Sequence, residues 1–164
     1  VIKVATLQDV TAIARNMRAH DRAERLALSH GSDPVAAAVA FLDMNHMAVT
    51  VWRGEAPVAV IGVVFAHPGV ASTIFFATDE FPKVAIATTR FVRRTLFPIL
   101  VETGIHRLQV CSMLHTYDDD EHDWILSFGA KREAVLVCYG KDLEDFALFT
   151  MSDTDMARVT SGGN

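Results

Sequence analysis

The longest uncharged apolar stretch of the chain runs from Ala56 to Gly69 and carries Pro57, His67 and Pro68. It is too short to span a bilayer, which takes about 20 apolar residues in a helix. With Met47–Arg53 before it, and Gly54-Glu55-Ala56-Pro57 between, it reads as a strand hairpin: Met47–Arg53 paired with Val58–His67. A chain with such a hairpin needs a sheet and something to cover it. At 164 residues and 51% hydrophobic composition, this one can build one self-sufficient core.

The other elements follow from local signals. Ile2–Thr6 alternates as a strand. Thr6-Leu7-Gln8-Asp9 has capping-box spacing, and Leu7, Val10, Ile13, Ala14 and Met17 fall on one face of the helix it opens. A charged segment, Arg18 to Arg25, follows. Gly31-Ser32-Asp33-Pro34 starts a helix that continues from Val35 to Met44. Ser72–Ala77 is a strand. Pro82 opens a long helix from Lys83 to Glu102, closed by Gly104 and kinked or ended at Pro98. Arg107–Ser112 is a strand, Asp123–Phe128 a short helix stopped by Gly129, and Ala134–Cys138 and Phe146–Met151 the final strands. Residues 1–152 form one domain in this reading, and 153–164 a polar, flexible tail. The order βααβββαβαββ is α+β, a mixed α/β class.

Charge and cysteine content narrow the function classes. A net charge of −5 argues against a general grip on nucleic acid. Cys111 and Cys138 sit in apolar runs and read as core thiols in a reducing compartment. Val1–Ala5 lacks the basic-then-apolar order of a secretory signal, so a cytoplasmic chain is expected. The run Asp118-Asp119-Asp120-Glu121-His122-Asp123 lacks the alternating ligands and loop glycine of an EF-hand. It reads as acids favoured at a helix N-terminus, and no metal is expected.

The element order resembles the GNAT (N-acetyltransferase) fold: a central, mostly antiparallel twisted sheet with helices on both faces. Gly104-Ile105-His106-Arg107-Leu108-Gln109-Val110 is similar to the end of that family's third helix and its fifth strand. Ile125-Leu126-Ser127-Phe128-Gly129-Ala130-Lys131-Arg132-Glu133 is similar to its closing segment. A narrower resemblance is to the GNAT-like internal virion protein A family of short-tailed bacteriophages. It rests on Asn16-Met17-Arg18 with Asp21-Arg22-x-Glu24, on Phe75-Phe76-Ala77-Thr78-Asp79-Glu80-Phe81, and on Tyr139-Gly140-Lys141-Asp142 with Glu144-Asp145-Phe146. It implies a viral protein acting in the cytoplasm of an infected cell or in the virion.

The broader resemblance implies acetyl-CoA as cofactor and an amine or a protein as acceptor. The family cradles the cofactor diphosphate on backbone N–H groups at the start of its long helix, in a Q/R-x-x-G-x-G/A loop. The matching segment, Thr78-Asp79-Glu80-Phe81-Pro82-Lys83, has no glycine, two carboxylates and a proline. Lys83, Arg90 and Arg94, spaced i, i+7 and i+11, offer a side-chain alternative for phosphates; such a stripe also suits a solvated helix face. Strand four, with Phe76, Ala77 and Thr78, would hold the pantetheine arm. Asp21 and Glu24 would face the acceptor as proton acceptors or cation holders, unless the alternating charges there are a salt-bridged surface. The family's tyrosine position falls on Ile125; nearby alternatives are Tyr117, His115, Ser112 and Cys111, of which His115 has the right range for acid–base work. Two functions follow as expectations: an acetyl-CoA-dependent N-acetyltransferase, or a catalytically silent protein of the same fold that serves virion assembly or binds a host protein.

Overall fold

The computed structural model describes residues 1–44, 46–114 and 120–161. The elements in chain order are β1 (Ile2–Val4), α1 (Leu7–Arg15), α2 (Ala19–Ala27), α3 (Pro34–Val39), β2 (His46–Arg53), β3 (Ala56–His67), β4 (Val70–Ala77), α4 (Ala85–Phe91), α5 (Phe97–Glu102), β5 (Arg107–Met113), α6 (Asp120–Ser127), β6 (Lys131–Leu136), β7 (Phe146–Ser152) and α7 (Asp153–Ser161). Short 3₁₀ turns, Ala40–Asp43 and Phe81–Lys83, follow α3 and precede α4. The seven strands make one sheet in the order β1-β2-β3-β4-β5-β7-β6. The pairs β1–β2, β2–β3, β5–β7 and β6–β7 are antiparallel. The pair β4–β5 is parallel, in register from Val70↔Arg107 to Ser72↔Gln109. The class expected from the sequence, mixed α/β with a mostly antiparallel sheet, is the class observed.

The chain packs as two compact units. One holds Val1–Phe65 and Thr73–Thr88; the other holds Ala66–Ser72 and the chain from Thr89 onward. In the first, Val10, Ile13, Ala14 and Met17 bury the predicted face of α1 against Ala38, Phe41, Val60 and Phe76. Leu7, placed on that face by its spacing, sits in the first turn and is 64% exposed. The predicted caps form: Thr6 accepts the Asp9 N–H at 3.2 Å, and Asp33 accepts the Val35 N–H at 2.9 Å beside Pro34. The charged segment Arg18 to Arg25 makes up most of a helix, α2. Its buried positions are Asp21, Glu24 and Ala27, so its inward face carries two carboxylates. No apolar period marks such a face.

In the second unit the long helix is interrupted. Val92–Leu96 is a π turn, closed by the Phe97 N–H donating to the Val92 carbonyl. Pro98 has no N–H for the Arg94 carbonyl and crowds it, so the expected disturbance appears as a widened turn just upstream. Gly104 ends the helix at φ +82°, with the Ile105 N–H reaching back to the Leu100 carbonyl at 2.9 Å. Residues 153–161, expected as a polar tail, form α7 instead. Ser152 and Asp155 cap it reciprocally, Ser152 Oγ accepting from the Asp155 N–H at 3.1 Å and Asp155 Oδ2 accepting from the Ser152 N–H at 3.2 Å. Met156 is fully buried, and Thr160 Oγ1 donates to the Arg93 carbonyl at 3.0 Å. Cys138, expected in the core, is exposed at φ +53° beyond the end of β6, with its N–H on Asp145 Oδ1; Cys111 is half-buried.

Gly69 turns β3 into β4 at φ +81°, and a methyl there would overlap the His106 ring. Gly104 has nothing near its missing side chain. Gly104→Ala therefore costs only the strain of a left-handed backbone, about 1 kcal/mol, and Gly69→Ala costs at least about twice that. Equal losses in urea unfolding would contradict the contact with His106.

Candidate functional site

The expected site residues converge where β4 ends. Three consecutive interactions tie the start of α2 there: the Arg18 N–H donates to the Ala77 carbonyl at 2.9 Å, the Ala77 N–H donates to Asp21 Oδ2 at 2.8 Å, and Met17 pairs with Thr78 in an antiparallel bridge. Asp21 is 3% exposed. Arg18 meets its carboxylate through Nε at 2.8 Å and Nη2 at 3.0 Å, and His20 Nε2 lies 3.1 Å from Oδ1. Burial alone would raise the Asp21 pKa; hydrogen bonds from His20 and Arg18 overcome it and hold the carboxyl below the ordinary Asp range. The Arg18 guanidinium in turn lies 5.6 Å from the Phe75 ring centre and 5.4 Å from that of Phe81, two rings packed edge-to-face. An ionised carboxylate with both oxygens engaged holds structure together. It is poorly suited to take a proton from an amine.

This geometry alters the roles expected of strand four. Phe76 is fully buried, edge-to-face with Phe41. Ala77 is fully buried, and both its backbone groups serve Asp21 and Arg18, so neither is open to a pantetheine arm.

The turn from β4 to α4 decides whether a diphosphate fits. The Thr78 N–H donates to the Val58 carbonyl, the Phe81 N–H to that of Thr78, the Lys83 N–H to that of Glu80 and the Val84 N–H to that of Phe81, all at 2.9–3.1 Å. The Glu80 N–H faces Thr78 Oγ1 at 3.4 Å, and Pro82 has no N–H. The Glu80 carboxylate is gripped by Arg53 Nη1 and Lys83 Nζ, each at 2.7 Å. The Lys83 hydrogen bond chiefly holds its pKa below the ordinary range, so the turn keeps its negative charge. A diphosphate cradle needs a row of free amides and positive potential. Four of this turn's amides, those of Thr78, Phe81, Lys83 and Val84, are bonded internally beside a paired carboxylate, which suits the diphosphate of acetyl-CoA poorly.

The remaining expected residues make other contacts. Glu24 is buried and paired with Arg25 Nη2 at 2.5 Å. Lys83 lies in the 3₁₀ turn before α4, committed to Glu80. Arg90 and Arg94 are exposed, on α4 and in the π turn. The i, i+7, i+11 stripe assumed one unbroken α period from Lys83 to Arg94, and the 3₁₀ and π turns break it at both ends. Ile125 is a buried apolar residue, and the neighbouring Trp124 indole N–H donates to Thr89 Oγ1 at 2.9 Å. His115 and Tyr117 lie outside the described residues, as do Asp118 and Asp119 of the acidic run. Among the described residues no helix is long and apolar enough to cross a membrane. Sequence reading missed Arg18 as the partner of Asp21 and Arg53 as that of Glu80. The i, i+3 spacing of Arg18 and Asp21 was the available signal for the first; nothing local marks the second.

The sequence matches no protein-family profile and no curated protein. Its structure is similar to solved N-acetyltransferases. A candidate acetyltransferase matches with a TM-score of 0.75 at 16% identity, over 98% of this chain and 89% of that one. An N-acetyltransferase from Staphylococcus aureus Mu50 matches at 0.69 and 11%, over 93% and 97%. The ribosomal-protein-S18-alanine N-acetyltransferase from Escherichia coli matches at 0.66 and 12%, over 93% and 92%. The chain has the fold of the GNAT N-acetyltransferases.

A carboxyl with a lowered folded pKa adds stability that is complete above the ordinary Asp range and is lost as pH falls through the lowered value. Asp21→Asn should cost on the order of 3 kcal/mol at neutral pH. Its deficit against the parent should shrink as pH drops below about 4. Urea unfolding of both proteins across that range checks this; a deficit constant with pH would contradict it.

Proposed function

We propose that the chain is a phage-encoded GNAT-fold protein of the short-tailed-phage internal virion type, in which the fold serves virion assembly or binding of a host protein instead of acetyl transfer. The observation that carries this is the turn between β4 and α4, where the Thr78, Phe81, Lys83 and Val84 amides are spent internally beside a salt-bridged Glu80. Its phage assignment is supported by the resemblance in three segments. Two of them, around Asn16–Glu24 and Phe75–Phe81, supply Arg18, Asp21, Phe75 and Phe81 to the cluster at the end of β4. Fold similarity alone does not assign chemistry. The protein would act in the infected cell or inside the particle, with a virion or host protein as partner.

A second reading is favoured by the fold and by the exposure of Arg90 and Arg94: an acetyl-CoA-dependent N-acetyltransferase acting on a protein or a small amine. In that reading Lys83, Arg90 and Arg94 would meet the phosphates by side chain, Phe76 and Thr78 would flank the pantetheine arm, and Asp21, Glu24 and His115 would serve the acceptor.

Titration calorimetry with acetyl-CoA separates the two. The first reading expects no saturable heat at ligand concentrations of about 1 mM, and no label transferred to amines in a lysate supplied with labelled acetyl-CoA. It also expects the chain to be retained in purified virions. Saturable binding lost in the Lys83→Ala/Arg90→Ala/Arg94→Ala variant, together with label transfer, would overturn it in favour of the enzyme.

A further inference from the structure

A cleft of about 300 Å³ opens within the first unit, between the C-terminal half of α2, α3, the 3₁₀ turn after it and Ile74 of β4. That volume is at the low end for small-molecule sites. Phe41 and Ala38 are buried in its wall, and Leu28 and Met44 line it with 41% and 51% of their surface exposed. Among the described residues its lining holds two ionisable side chains, Arg25 and His30, and no carboxylate. The Ser29 hydroxyl is committed to the Leu26 and Gly31 carbonyls, each at 3.1 Å. Arg25 is different. Its side chain is 12% exposed, with Nη2 fixed by Glu24 Oε1, while its Nε is buried with no hydrogen-bond partner among the described residues. A buried N–H without an acceptor is costly, and a guanidinium fork pairs best with a planar carboxylate.

The geometry points to a binding site for a small apolar carboxylate: an aliphatic tail against Leu28, Phe41, Met44 and Ile74, with its acid group on Arg25. This is the opposite charge preference from an amine acceptor, and it stands whether or not acetyl-CoA binds. One ligand chemistry admits two sources, a free aliphatic acid or the C-terminal carboxylate of an apolar peptide.

Calorimetry with octanoate, octanol and octylamine on the full chain tests the charge preference. Octanoate should saturate, with the alcohol and the amine at least about tenfold weaker. Ala37→Leu, which fills the cleft and leaves the Glu24–Arg25 pair in place, should weaken octanoate by about tenfold or more. Arg25→Gln should bring octanoate down to the affinity of octanol; if that variant does not fold, the first two comparisons still decide. An alanyl-leucine dipeptide with a free C-terminus, measured beside its amide, distinguishes the sources. Tighter binding of the free dipeptide than of octanoate names the peptide terminus, and the reverse order names the free acid. The inference is overturned if octanol binds as tightly as octanoate, if neither acid saturates, or if Ala37→Leu leaves octanoate unchanged.

Discussion

One buried negative charge organises the end of the fourth strand. A carboxylate taken out of water must find cations and donors, or its cost falls on the fold. Asp21 finds Arg18, His20 and the Ala77 N–H, and in satisfying itself fastens α2 to β4. Arg18 must then be housed, and the edge-to-face pair of Phe75 and Phe81 supplies two aromatic faces for it. Phe81 opens the turn into α4, where the Phe81, Lys83 and Val84 amides are drawn into local hydrogen bonds. The route from Asp21 to the closed turn is a sequence of neighbouring requirements, each met by the next residue.

That route separates this protein's fold from the chemistry associated with it. The sheet order and the coverage of solved N-acetyltransferases establish the scaffold. Cofactor binding in such a scaffold depends on features that sheet order does not fix: free amides at a helix start, backbone groups open on the fourth strand, and no competing carboxylate. Here Pro82 removes one amide, Thr78, Glu80 and Phe81 accept from others, Ala77 is occupied on both sides, and Glu80 sits in the turn with its own cations.

Much of the fold was legible because hydrophobic spacing and capping agree. Val10, Ile13, Ala14 and Met17 mark α1, Asp33-Pro34 marks α3, and the apolar run beyond Gly54 marks the hairpin. Where the buried face is polar, periodicity is silent, and α2 reads from its sequence only as a charged segment. The helix after β7 was obscured by polar composition, although Ser152 and Asp155 stand at capping-box spacing ahead of Met156. At the site, spacing drew attention to Asp21 and Glu24 but not to what they do. Their partners decide that: Arg18 and His20 for the first, Arg25 for the second. The cationic stripe failed for a different reason. Helical phase carries only through an unbroken α-helix, and Pro98 and the Phe81–Lys83 turn both break it.

The central claim is that the Ala77, Thr78, Phe81, Lys83 and Val84 amides are spent inside the protein. Backbone amide NMR read residue by residue, with and without acetyl-CoA at about millimolar concentration, tests it most directly. The account predicts that the Ala77, Phe81, Lys83 and Val84 amides are slow to exchange and keep their shifts when the cofactor is added. Rapid exchange at these positions, or saturable shifts confined to them on adding acetyl-CoA, would contradict it.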